Sequence, residues 1–218
     1  TFHKYLLPAA ATAEQLNHTI QWLNDDEEVD AVLLQLPLPP HLSEDAAIAS
    51  IKPEKDVDGF TKENIELLLN DTPRLIPSLV LGVIRLLEAT GEILTDKKVV
   101  VIAKSPSFTE PLAHVLSSKV TAVQVMTPDD PTLQSQTEQA DIVISAIGKA
   151  KSITAEMVKP DAIIIDIGIN KDELGVTVGD VDFSKVLPLV SHITPVPGGV
   201  GPMTVAMLLY NTLVLAKT

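Results

Sequence analysis

At 218 residues with 45% apolar side chains, the chain is long enough for one large domain or two modest ones and has ample material for their cores. The absence of cysteine excludes disulfides and thiolate metal sites and fits a reducing compartment, so a cytoplasmic protein without a metal is expected. A net charge of −13 with scattered lysines counts against nucleic acid, and apolar runs such as Val99 to Ala103 are far short of the roughly 20 residues a bilayer needs, so no membrane partner is expected either.

Thr1 lacks an initiator methionine and Phe2 to Leu7 reads as the middle of an element, so the chain is expected to begin downstream of its natural start. Thr12 to Asn24 places Leu16, Ile20 and Leu23 at helical spacing, with Thr12 and Gln15 arranged as a capping box. Val29 to Leu36 is dense in valine and leucine and stops at Pro37, Pro39 and Pro40, which predicts a buried strand ending in a rigid loop. Ser43 to Ile51 predicts a short helix and Pro53 to Gly59 a charged loop. Helical segments are expected at Asn64 to Leu69 and Leu81 to Thr90, around an exposed loop from Asp71 to Pro77.

From Lys97 strand-like runs alternate with amphipathic stretches, the pattern of a parallel sheet wrapped by helices. The expected strands are Lys98 to Ala103, Ala122 to Met126, Ile142 to Ser145, Ala162 to Asp166 and Leu189 to Ile193. The expected helices are Glu110 to Ser117, Thr132 to Gln139, Ala155 to Val158 and Met203 to Lys217.

Open parallel sheets bind ligands beyond the carboxyl ends of their strands, which directs attention to residues that follow strands. Gln35 puts an amide at the end of an apolar run. A buried amide must be bonded, either to the loop backbone or to a functional partner. Asp56 and Asp58, in Lys55-Asp56-Val57-Asp58-Gly59-Phe60, put two carboxylates on an extended turn that is a solvated loop, a cap or a binding site. Pro195-Val196-Pro197-Gly198-Gly199-Val200-Gly201-Pro202 is either an interdomain linker or a stiff backbone able to approach a flat ligand closely, opening into a helix N-terminus.

Together and in this order, the three stretches resemble the bifunctional methylenetetrahydrofolate dehydrogenase/cyclohydrolase family, from about Phe2 to the C-terminus. Ile165-Asp166-Ile167-Gly168-Ile169-Asn170 and Gly179-Asp180-Val181-Asp182-Phe183 extend the likeness. The resemblance implies an α/β protein with a folate domain at 1–80, a Rossmann-like doubly wound NAD(P) domain at 81–200, and a C-terminal helix at 201–218 returning to the first domain. It implies NADP-dependent oxidation of 5,10-methylenetetrahydrofolate, hydrolysis of the methenyl product, and a homodimer. NADP is implied ahead of NAD, with tetrahydrofolate as the substrate.

By matching position, Gln35 is the residue that positions the family's catalytic lysine and Asp58 the one that takes the pterin. A carboxylate suits the pterin because it accepts two parallel N–H bonds. Pro197, Gly198, Gly199 and Pro202 correspond to the loop beside the folate. Lys104, Ser105, Ala146, Gly148 and Ile169 fall on the cofactor side. Two departures accompany the match. The family's tyrosine and, four positions on, its catalytic lysine have no counterpart here, which leaves a catalytically silent folate-binding or partner-binding member as the alternative. Ala103-Lys104-Ser105-Pro106 stands where the family has glycine, arginine and serine, so a weaker hold on the cofactor phosphate is expected.

Overall fold

The computed structural model describes residues 1–217, which divide into two units: residues 1–77 together with Leu208 onward, and Ser78–Met207. In the first unit, helix α1 (Ala13–Asp25) begins in a complete capping box. The Gln15 N–H donates to Thr12 Oγ1 at 3.2 Å and the Thr12 N–H to Gln15 Oε1 at 2.9 Å. Helix α2 (Glu44–Ala49) is capped by Ser43, and α3 (Lys62–Leu69) follows Thr61. Leu16 and Ile20 of α1 pack with Val32, Ala47 and Ile51 into a small apolar core. Burial of each such side chain is worth about 1.5–3 kcal/mol.

The expected strand from Val29 to Leu36 does not form a ladder. It makes a single parallel bridge between Val32 and Asp56, where the Val32 N–H donates to the Lys55 carbonyl and the Val57 N–H to the Val32 carbonyl. A strand needs a neighbour along its length, and among the described residues only 55–57 are bonded alongside it. Gln35 is consequently exposed rather than buried, and its Nε2 donates to the adjacent Leu36 carbonyl at 2.8 Å. The loop from Asp71 to Pro77 is also less exposed than expected, because Leu75 and Pro77 are buried.

The second unit carries helix α4 (Ser78–Ala89), followed by strands β1 (Lys98–Ala103), β2 (Ala122–Met126), β3 (Ile142–Ala146) and β4 (Ile163–Asp166). With β7 (His192–Ile193) they form a parallel sheet in the order β2-β1-β3-β4-β7. Crossovers run through α5 (Pro106–Ser117) and α6 (Leu133–Thr137). Helix α5 starts four residues earlier than expected: Pro106 at its first position has a preset φ and needs no N–H partner there. The central strands are buried on both faces, as their unbroken valine and isoleucine runs require. The Thr132 to Gln139 helix shortens to α6, the 155–158 helix to a 3₁₀ turn at Ala155–Met157, and β7 to two residues behind a 3₁₀ turn at Leu187–Leu189 that contains Pro188.

Two elements were not expected, a hairpin of β5 (Asn170–Lys171) and β6 (Thr177–Val178) and the one-turn helix α7 (Phe183–Val186). The signal for the hairpin is Leu174-Gly175, with Gly175 at φ 77°. The last helix, α8 (Val200–Leu215), begins three residues before Met203 and takes Gly201 and Pro202 into its first turn. No helix among the described residues is long and apolar enough to cross a membrane.

Candidate active site

In the first unit the Asp56–Gly59 turn separates its two carboxylates. Asp56 is buried at 2% exposure and accepts from the Gly59 N–H at 2.9 Å, the Thr61 N–H at 2.7 Å and Asn64 Nδ2 at 3.1 Å. Its work is structural: it ties the turn to the start of α3. The turn is fixed from the other side by buried Asn211 of α8, whose Nδ2 donates to the Val57 carbonyl at 3.1 Å and the Ile76 carbonyl at 3.0 Å.

Asp58, held between these two anchors, is half-buried, and among the described residues no hydrogen bond or ion pair reaches its carboxylate. Burial, reinforced by the charge of Asp56, pushes its pKa up to about 6. A desolvated acceptor on a rigid backbone with nothing to accept from is poised for a ligand that brings N–H donors. Gln35 lies in the same unit, its Nε2 donating to the carbonyl of its own neighbour, Leu36.

In the second unit the register pairs Ala103 with Ala146 and Ser145 with Asp166, so the carboxyl ends of β1, β3 and β4 lie level. The order reverses between β1 and β3, the point where doubly wound sheets take their ligands. Lys104 and Ser105 follow β1, Ala146 ends β3 with Gly148 two residues on, and Ile169 follows β4, so the five cofactor-side residues come to one end of the sheet. Lys104 is exposed and makes no ion pair among the described residues, and Ile169 is 74% exposed. A free cation beside the switch point fits the phosphate-bearing part of a nicotinamide dinucleotide. Pro106 withholds one helix N–H from that task, and the Ser105 hydroxyl lies 2.7 Å from that of Ser107.

Two buried aspartates, neither assigned a role from the sequence, organise this end. Asp180 accepts from the Ser145 hydroxyl at 3.0 Å, from the N–H groups of Ile147 at 2.6 Å, Gly148 at 3.1 Å and Lys149 at 3.1 Å, and from Asn170 Nδ2 at 2.9 Å. Asp166 accepts from the N–H groups of Gly168 and Asp180 at 3.0 Å and Val181 at 2.9 Å. Burial, offset in part by these bonds and reinforced by Asp180, pushes the Asp166 pKa up to about 6. Position 179 admits only glycine, because an added Cβ would land on the Asp166 carboxylate. The only sequence signal for this pair is an aspartate ending an isoleucine run and another beside a glycine.

The loop from Pro195 to Pro202 borders an apolar recess of about 490 Å³ that includes Gly198, Gly199, Pro202 and Met203 and backs onto Ile163, Ile164 and Ile165. Pro197 is exposed and lies outside this lining. A side chain at 199 would sit 2.6 Å from the Pro195 carbonyl oxygen, so glycine there permits the tight path. Among the described residues no group of three or more histidine, aspartate or glutamate side chains is placed to share a metal ion.

Comparison with known proteins agrees along nearly the whole chain. The sequence profile of the tetrahydrofolate dehydrogenase/cyclohydrolase catalytic domain matches residues 1–58, and that of the family's NAD(P)-binding domain matches residues 77–218. The bifunctional protein FolD of Lysinibacillus sphaericus is 43% identical over 211 residues, covering 97% of this chain and 74% of the relative. The crystal structure of the bifunctional FolD enzyme from Campylobacter jejuni superposes with a TM-score of 0.90 at 42% identity, covering 96% of this chain and 74% of that one. The Trypanosoma brucei dehydrogenase-cyclohydrolase, solved with NADP and an inhibitor, does so with 0.90 at 36% identity, covering 97% and 74%.

Proposed function

The chain belongs to the tetrahydrofolate dehydrogenase/cyclohydrolase family, and from that premise we propose that it acts in one-carbon folate metabolism. The reaction is oxidation of 5,10-methylenetetrahydrofolate with NADP, followed by hydrolysis of the methenyl product to 10-formyltetrahydrofolate. The observation that carries the reading is Asp58, a half-buried carboxylate without a partner on a turn locked by Asp56 and Asn211.

The ionised Asp58 accepts two N–H bonds from the pterin's amino group and ring nitrogen, which fixes the ring's orientation before any bond changes. By the family resemblance, Pro197, Gly198, Gly199 and Pro202 of the second unit correspond to the folate-side loop. Lys104 and Ser105 take the phosphate side of NADP, while Ala146, Gly148 and Ile169 border the rest of it. When bound, NADP supplies the acceptor for the hydride. Hydrolysis needs a group that moves protons. In the family pattern that group is a lysine oriented by the residue at Gln35, and it has no counterpart within residues 1–218. The bifunctional names of the relatives lend the silent alternative no support. A homodimer is the finer expectation carried by the same resemblance, and the cytoplasm is the one carried by the absence of cysteine.

The test is reduction of NADP in the presence of 5,10-methylenetetrahydrofolate, with consumption of methenyltetrahydrofolate followed separately. Nicotinamide reduction that requires the folate and disappears in Asp58→Ala is the expected result. No folate-dependent reduction with both ligands saturating would overturn the reading.

A further inference from the structure

Three successive backbone N–H groups, those of Ile147, Gly148 and Lys149, converge at the carboxyl end of β3 beside the switch point. Such a run is a ready anion site, and in a dinucleotide-binding sheet it invites assignment to phosphate. Here the protein fills it from within. Asp180 is fully buried and takes all three N–H groups on its two oxygens, with Ser145 and Asn170 satisfying the remaining directions.

The consequence follows from peptide geometry. The peptides of this loop are trans, and in a trans peptide the C=O points opposite to the N–H of the same unit. With the N–H groups of Ile147, Gly148 and Lys149 turned in toward Asp180, the carbonyls of Ala146, Ile147 and Gly148 are turned away from it. Ile147 is half-buried, Gly148 and Lys149 are exposed, and a Cβ placed on Gly148 would meet nothing within 4 Å, so that side of the loop is open.

We propose that Asp180 is a positioning residue that sets the Ala146–Lys149 loop carbonyl-outward, so that the loop takes hydrogen-bond donors of the dinucleotide, its ribose hydroxyls or carboxamide, and not a phosphate. This rests on the cofactor reading above and assigns the two loops opposite chemistries. The cation of Lys104 after β1 serves the anionic part, and the acceptors after β3 serve the neutral donor-bearing part. Asp166, through its bond from the Asp180 N–H, holds the positioning residue in turn.

The experiment is NMR on the intact chain with labelled backbone carbonyls and amides, titrated with NADP and separately with inorganic pyrophosphate. NADP is expected to shift the carbonyl carbons of Ala146, Ile147 and Gly148. Pyrophosphate is expected to act near Lys104 and to leave the amides of residues 147–149 unmoved. Amide shifts there with pyrophosphate, or NADP shifts at Lys104 and Ser105 without carbonyl shifts, would overturn the proposal while sparing the cofactor reading. No response to NADP anywhere would remove both.

Asp180→Asn, with its thermal transition measured, is expected to weaken NADP about tenfold, to speed hydrogen exchange at residues 147–149 and to leave folate affinity unchanged. Should that variant not fold, Asn170→Ala removes a single donor to Asp180. It is expected to weaken NADP a few-fold, and an unchanged affinity would count against the proposal.

Discussion

Asp58 offers the most direct quantitative test, because one property, its displaced ionisation, sets both ligand binding and stability. With its pKa pushed up to about 6, the group is about nine-tenths ionised at pH 7 and about one-tenth at pH 5. Only the ionised form accepts two N–H bonds, so apparent folate affinity is expected to fall roughly tenfold between these pH values. Asp58→Ala removes two charge-assisted bonds of about 1.5–3 kcal/mol each, a loss of roughly 10²- to 10⁴-fold in affinity.

Stability runs the other way. The folded state binds this proton more tightly than the unfolded chain does, so it gains stability as pH falls from about 6 toward the unfolded value near 4, by at most about 3 kcal/mol. Above pH 6 the burial penalty is complete. Calorimetric titration of folic acid across pH 5–7 on the wild type, Asp58→Asn and Asp58→Ala, with denaturant melts alongside, reads both effects. Asp58→Asn is expected to lose this pH dependence in each. Wild-type affinity that is flat across the range, or Asp58→Ala binding as the wild type does, would refute the assignment.

Gly179→Ala drives a methyl into the Asp166 carboxylate, which cannot retreat without giving up its three N–H bonds. A cost of about 3 kcal/mol or more, seen as a fall in Tm of roughly 6–12 °C, is expected from thermal melts. Lys104→Ala is expected to weaken NADP several-fold at low salt and to converge with the wild type near 1 M salt, where the Debye length is about 3 Å. Parallel salt curves for the two proteins would take Lys104 out of the phosphate site.

The second unit was largely legible because a buried parallel sheet imposes an unambiguous pattern. The apolar runs at 99–103 and 142–144 leave no polar face for a helix, and the strands expected at 98–103 and 142–145 form at 98–103 and 142–146. The first unit was less legible. Val29 to Leu36 carries the same composition, but strand formation requires a partner, and composition does not say whether one comes alongside. The lack of a partner also leaves Gln35 exposed, although its apolar neighbours alone suggest burial.

The sequence alone determined the α/β class and, through residue-by-residue resemblance, the family and its candidate folate and cofactor positions. The resemblance singled out Asp58, but residue chemistry gave no reason to prefer it to Asp56, two residues away on one turn. Tertiary structure decided that Asp56 is consumed by three N–H bonds while Asp58 is left unpartnered and half-desolvated. Nor did the sequence disclose Asp166 and Asp180, whose partners include groups 15 and 35 residues away in the chain. Whether a carboxylate is a structural clamp or a free acceptor depends on the donors that folding brings to it, and those donors come from elsewhere in the chain.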